Sequence, residues 1–316
     1  MSRPLGAPTR EAFGDELLEL GKAHPEIVVV DGDVNNSTYT NKFAKAFPER
    51  FFNVGIAESN AIGVAAGLAA CGKVPFVSSF SCFLLNNAYE QLRMSVAFPR
   101  LGVKCVGTHA GISIGEDGPS QMAVEDVALA SALAHFAVLV PADGRSTRSA
   151  VRAAYAHDGP VYVRCGRPKA PVVYDDGVEV RVGQAIQLRD GSDCTIAASG
   201  LMVAAALDAA ETLEGQGVRC RVLDMVSVKP LDRGALRRAA LETGALVVAE
   251  EHLRAGGLGS AIAQLLAEER PVPMAFVALD DRYAESGAPD ELMEKYGLTA
   301  ADVARAVRTV VTRKSG

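Results

Sequence analysis

The sequence predicts an α/β protein of two domains, each a mainly parallel sheet with helices on both faces. Three observations predict it. Short apolar, β-branched runs alternate with longer segments of 3.6-residue period, the pattern of strand–helix–strand units. The runs are almost continuously apolar, IVVVD at 27–31 above all, as strands covered on both faces must be. Between two blocks of this alternation lies RPKAPVVYDDG, rich in Pro, Asp and Gly, which reads as an interdomain connection.

In the first domain, 1–170, strands are expected at 27–31 (IVVVD), 74–79 (VPFVSS), 103–107 (VKCVG), 137–141 (AVLVP) and 161–165 (VYVRC). Helical periodicity fills 10–23, 58–71, 86–97, 124–134 and 144–157. A linker is expected over 171–190, and a second domain over 191–316. There the strands are CTIAASG at 194–200, VRCRVLDM at 218–225, ALVVAEE at 245–251 and MAFVALDD at 274–281. Helices follow at 202–214, 232–242, 257–269, 289–296 and 299–312.

Composition excludes several classes. With 316 residues, 49% hydrophobic and 22% charged, the chain is neither a disordered tail nor a small disulfide scaffold. Lys and Arg number 32 against 38 Asp and Glu, a net charge of −6, so no nucleic acid or anionic membrane partner is expected. No apolar run reaches the ~18 residues of a membrane span, and the start, MSRPLGAPTREAFGDEL, has no signal-peptide core. The six cysteines, Cys71, Cys82, Cys105, Cys165, Cys194 and Cys220, form no C-x-x-C pair. They read as reduced core residues of a cytoplasmic protein rather than a zinc site.

Several segments carry possible chemistry. NVGIAESNAIGVAAGLAACG places Glu58 at the start of a helix of small apolar residues. It is either an ordinary first-turn acid complementing the helix dipole or a semi-buried carboxyl that shares a proton with a ligand nitrogen. The small residues behind it, including Gly63 and Gly67, permit close packing of another helix or chain. In SSFSCF, Phe80 and Phe83 are spaced as core aromatics, yet serines interleave with them at a strand's C-terminal end. Open α/β sheets place ligands there, and a ring could stack on a heteroaromatic.

The loop THAGISIGEDGPSQM, 108–122, combines His109, Asp117 and Gln121 with glycines that allow close backbone approach. Its single histidine and two acids lack the spacing of a metal cage. Arg164 and Arg167, in VRCGRP, are surface charges or a bidentate grip on a phosphate or carboxylate. Arg10 precedes the first helix, and Asp33, Asn36 and Ser37 in VDGDVNNSTY either turn the chain or meet a polar substrate. GGLG at 256–259 reads as a tight strand-to-helix turn rather than a dinucleotide site.

Taken in order over nearly the whole chain, these segments resemble the C-terminal half of the transketolase family. NVGIAESNAIGVAAGLA is similar to its glutamate helix, PFVSSFSCF to its aromatic strand end, and GISIGEDGPSQM to its substrate loop. VYVRCGRP, VLDMVSVKPLD and VVAEEHLRAGGLGSAIA continue the resemblance into the C-terminal domain. Gln121 stands where bacterial and yeast members typically have histidine, whereas animal-type members have glutamine.

The resemblance implies thiamine diphosphate as cofactor, an electron sink for a two-carbon fragment. Glu58 would bond N1′ of its aminopyrimidine, Phe83 with Phe80 would stack on that ring, and Gln121 would lie nearby. Arg10, Ser37, His109, Asp117 and Arg167 would hold a sugar phosphate, with Arg10 and Arg167 at the phosphate end, while Asp33 faces the channel. The family holds its diphosphate through Mg²⁺ on a GDG motif followed some thirty residues on by an Asn pair. DGDVNN compresses similar letters into six residues and is not that motif. The chain is therefore expected to be one subunit of a split transketolase in an α₂β₂ assembly, its N-terminal partner supplying the Mg²⁺ ligands. The alternatives are the β subunit of a 2-oxo acid dehydrogenase, half of a deoxyxylulose phosphate synthase, or a non-catalytic scaffold.

Overall fold

The structure, a computed structural model, describes residues 3–314. A seven-stranded sheet runs Ser227–Lys229, Ala137–Leu139, Val161–Arg164, Lys104–Thr108, Val74–Phe80, Ile27–Asp31, Phe51–Asn53. Every neighbouring pair is parallel except the first, which is antiparallel. A second, five-stranded sheet runs Met274–Leu279, Leu246–Leu253, Cys194–Ala198, Cys220–Asp224, Ile186–Arg189, antiparallel only at the last pair.

The central strand shows why the runs are continuously apolar. Val30 faces Ala61, Ile62, Ala65 and Ala66 of the helix Glu58–Ala70. Ile27 and Val29 face Phe13 and Leu17 of the helix Thr9–Ala23 on the opposite side. With side chains alternating across the sheet, both faces need apolar residues. Truncating one such buried Leu or Phe to Ala costs about 2–5 kcal/mol.

The expected strands and most helices occur. Three differences have physical causes. The helix expected at 86–97 is broken: Ser81–Asn86 ends at Asn87, whose carbonyl accepts the Ser59 hydroxyl at 2.7 Å. Beyond Tyr89–Gln91 the chain widens into a π-type segment, with Phe98 N donating to Arg93 O and Leu101 N to Val96 O. Phe51–Asn53 and Ser227–Lys229 are edge strands too short for periodicity to reveal.

The connection over 171–190 is docked along its length. Asp143 accepts from Val173 N and Tyr174 N, Ser149 Oγ from Val180 N, and Ser227 Oγ from Gly183 N. It ends in the strand Ile186–Arg189 of the second sheet. The chain then leaves that sheet at Asp224 and, in Ser227–Lys229, completes the edge of the first. One apolar cluster spans the junction, joining Phe136 and Val138 to Leu223, Val248 and Ile262.

Candidate active site

The C-terminal ends of the parallel strands bring most of the singled-out residues to one rim of the first sheet. Asp33 and Ser37 follow Ile27–Asp31, Phe80 ends Val74–Phe80 with Phe83 in the helix Ser81–Asn86 just after it, and His109 follows Lys104–Thr108. Arg167 follows Val161–Arg164, Glu58 follows the edge strand Phe51–Asn53, and Arg10 opens the helix Thr9–Ala23. This is where an open α/β sheet presents its ligand crevice.

Glu58 opens its helix with only 4% of its surface exposed. Its Oε1 accepts from Ser79 Oγ at 3.0 Å, and Oε2 from Asn87 Nδ2 at 3.4 Å. Asn87 thus does two things, breaking its own helix and steadying the carboxylate. A Cβ on Gly32 would come within 3.5 Å of Ser79 Oγ and 3.7 Å of Glu58 Oε1, so glycine leaves open space beside the carboxylate. Phe80 and Phe83 lie nearly parallel, centroids 5.9 Å apart, both half-buried.

Phe80 also stacks on the His109 ring, centroids 3.7 Å apart. His109 is 2% exposed, with left-handed φ of 60°. Arg10 Nη1 lies 3.2 Å from its Nε2, and Thr108 Oγ1 lies 2.8 Å from its Nδ1. A guanidinium can only donate, so Nε2 accepts and Nδ1 carries the proton toward Thr108. Burial first, then the Arg10 and Arg167 charges, push the His109 pKa down to about 3, so the ring is neutral.

Arg10 ties three segments together. Nη1 donates to Ser37 O at 2.7 Å and Nε to Arg167 O at 3.4 Å, while the guanidinium lies 5.3 Å over the Tyr39 ring. Burial pulls its pKa below the ordinary arginine value. Arg167 Nη1 donates to Ile114 O at 2.6 Å and pairs with Glu116 at 3.1 Å and Asp117 at 3.8 Å. Gln121 is half-buried, its Oε1 accepting from Ser120 Oγ at 2.6 Å. Asp33 is exposed at the sheet's edge and accepts from Asn53 Nδ2 at 2.7 Å.

Arg164 is committed to internal partners. It is 7% exposed and forms a two-pronged pair with Asp126, Nε–Oδ2 2.8 Å and Nη2–Oδ1 3.2 Å. The carbonyls of Ala123 and Glu251 take its remaining reach at 3.0 Å. A strand's period of two turns residue 164 into the junction with the second domain, where an internal carboxylate neutralises it.

Asp31 was not legible as a site residue. Fully buried, it accepts from Val34 N at 2.7 Å and from the Thr38 and Thr40 hydroxyls at 3.0 and 2.8 Å. It shapes the turn that carries Asp33 and Ser37, and burial raises its pKa. Its only sequence signal is an acid closing an apolar strand, which any turn would also show.

Among the described residues, no group of three His, Cys, Asp or Glu side chains could hold a metal ion, and no helix is long and apolar enough to cross a membrane. The described cysteines are free, and all but Cys71 are buried.

Fold and rim together define a ligand-binding α/β protein that sets a buried carboxylate beside stacked rings and two arginines. Comparison with known proteins gives the family. The transketolase pyrimidine-binding domain matches residues 6–172, and the transketolase C-terminal domain matches 183–303. The chain belongs to the transketolase family. It is 43% identical to the 6-deoxy-6-sulfo-D-fructose transketolase subunit SqwH of Clostridium sp. (strain MSTE9), over 97% of this chain and 95% of that one. It is 37% identical to the transketolase of Homo sapiens, over 96% of this chain but 49% of that protein. A solved structure described as a split gene transketolase, inactive beta4 tetramer, superposes with a TM-score of 0.92 at 49% identity, covering 98% of this chain and all of that one.

Proposed function

We propose that this chain is the C-terminal subunit of a split, thiamine diphosphate-dependent transketolase. With a separate N-terminal subunit it transfers a two-carbon ketol unit from a ketose phosphate to an aldose phosphate. One observation carries the reading: the buried Glu58 carboxylate and the Phe80–Phe83 pair share a rim with Arg10, His109 and Arg167. The rim is flanked by an uncovered apolar surface. Ile56, two residues before Glu58, is 83% exposed, and a Cβ added at Gly63 or Gly67 would meet nothing within 4 Å.

The residues present fit the pyrimidine end of the cofactor, which supplies an electron sink for the transferred fragment. Glu58 would receive the ring nitrogen N1′, with Ser79 and Asn87 holding the carboxyl in place. Phe83, backed by Phe80, would stack on the pyrimidine face, with Gln121 alongside. Farther out, Arg10 and Arg167 would pair with the substrate phosphate, exchanging carbonyl and carboxylate partners for a dianion. Once Arg10 turns to phosphate, the Nε2 lone pair of neutral His109 is free to accept a sugar hydroxyl. Ser37 and Asp117 would bind further oxygens of the substrate, and Asp33 would face its channel.

The partner would hold Mg²⁺ and the diphosphate through the GDG and Asn-pair motif, in an α₂β₂ complex in the cytoplasm. Pentose phosphates are the substrates expected first. The assay that tests the reading uses both subunits with thiamine diphosphate, Mg²⁺ and a ketose phosphate plus an aldose phosphate. Ketol transfer is expected. In a parallel assay with pyruvate and an artificial electron acceptor, turnover of pyruvate without transfer to sugars would instead make this a 2-oxo acid dehydrogenase subunit.

A further inference from the structure

From sequence, the glycines of the loop 108–122 allow its backbone to approach a ligand. Its glycines instead approach the C-terminal domain. A Cβ on Gly111, whose φ is 82°, would sit 2.2 Å from the Glu251 carboxylate. One on Gly115 would meet Pro289 at 3.0 Å, and one on Gly118 would meet Ser286 Oγ at 2.4 Å. Between the glycines, Ile112 and Ile114 are fully buried in the same apolar cluster as Ile196, Val247 and Val303 of the second domain. The segment from Gly111 to Gly118 belongs to the first domain by sequence and is laid against the second by packing.

One polar contact fixes its register. Glu251, near the end of the strand Leu246–Leu253, is 4% exposed, and its Oε1 accepts from Ser113 N at 2.6 Å. The next residue's carbonyl, Ile114 O, receives Arg167 Nη1. From the other side Arg164 binds Glu251 O, and His252 Nε2 accepts from Ala128 N at 3.3 Å in the helix after the loop. A buried carboxylate is costly to keep unless its hydrogen bonds matter, and burial raises the Glu251 pKa.

We propose that Glu251 is a positioning residue for the substrate loop. Through the Ser113 amide it sets the backbone that aligns Arg167 and Asp117, so the C-terminal domain governs affinity for the phosphorylated substrate. This rests on the assignment of Arg167 and Asp117 to that substrate.

The test compares Glu251→Ala with Glu251→Gln, which keeps an acceptor for the amide. Hydrogen exchange is measured on the isolated subunit, and kinetics on the complex with its partner. In Glu251→Ala, amides of 111–118 should exchange roughly tenfold or more faster, because a buried donor is left unpaired. Amides of Lys104–Thr108 and Cys194–Ala198 should be unchanged. In the complex, KM for the ketose phosphate should rise roughly tenfold with kcat within about twofold, and Glu251→Gln should restore most of it. Unchanged loop exchange, equally faster exchange in both sheets, a wild-type KM in Glu251→Ala, or no rescue by Gln would each overturn the proposal. If the wild-type complex transfers no ketol unit, the functional reading fails, while the exchange data still decide whether Glu251 orders the loop.

Discussion

At Glu58, one buried carboxylate lies between a hydroxyl and an amide. Glu58→Gln keeps size and hydrogen-bonding reach but cannot share a proton with a ring nitrogen. Turnover in the complex should fall by at least about 10²-fold while gel filtration shows intact assembly; near-normal rates would remove Glu58 from its role. His109 gives a pH prediction of a different kind. Its folded pKa, about 3, lies below the unfolded value of 6.5. Below pH 6.5 the unfolded chain therefore binds a proton that the folded chain does not. Stability from this site is full above pH 6.5 and falls as the pH drops toward 3, by at most about 1.4 kcal/mol per unit. Urea denaturation of His109→Asn should show a flatter loss of stability across that window than wild type; equal slopes would place the acid sensitivity elsewhere.

Residues differ in how readable they are. Glu58, Phe80, Phe83 and His109 were legible because each interrupts a pattern: an acid on an apolar helix, rings among serines, a histidine between glycines. For Arg164 the sequence leaves the choice open, because an arginine next to a turn looks the same whether it faces solvent or a buried Asp126. Only three-dimensional packing reveals the partner, thirty-eight residues away. Glu251 was missed for the related reason that its work is done on a backbone group of another segment, and Asp31 because holding Val34 N and the Thr38 and Thr40 hydroxyls of its own turn leaves no mark that an ordinary turn would not.

Among the elements, the helix Glu58–Ala70 is apolar on nearly every side, yet beyond Glu58 it is buried only along Ala61, Ile62, Ala65 and Ala66. Its other face, with Gly63 and Gly67 open, has room for a close neighbour. The double variant Gly63→Leu, Gly67→Leu should leave the isolated subunit as stable or more so, since glycine within a helix costs about 1 kcal/mol relative to good helix formers. Binding to the N-terminal subunit, followed by titration calorimetry, should weaken by at least about tenfold through steric overlap. A stable variant that binds its partner normally would show that this face is not the docking surface. The long parallel strands and amphipathic helices were legible because both faces of each strand repeat one chemistry. The break at Asn87 was not, because it depends on Ser59 from another helix.

For the whole molecule, the two domains are not independent beads. The second lends a strand to the first sheet and a carboxylate to its loop. Sequence periodicity finds the two sheets, but cannot show that Ser227–Lys229 crosses between them, because three residues carry no period. The glycines of the loop were visible as glycines, and their neighbours were not. The resulting unit gathers Arg10, Glu58, Phe80, Phe83, His109 and Arg167 on one rim, and none of the described residues gathers as a metal site. We propose that this rim is half of an active site.

The most direct measurement is the ketol-transfer rate of this chain alone and after titration with its N-terminal subunit, at saturating thiamine diphosphate and Mg²⁺. No transfer by the chain alone is expected, with a rate that rises with added partner to a plateau at one-to-one stoichiometry. Full transfer by the chain alone, or none at any ratio, would contradict it.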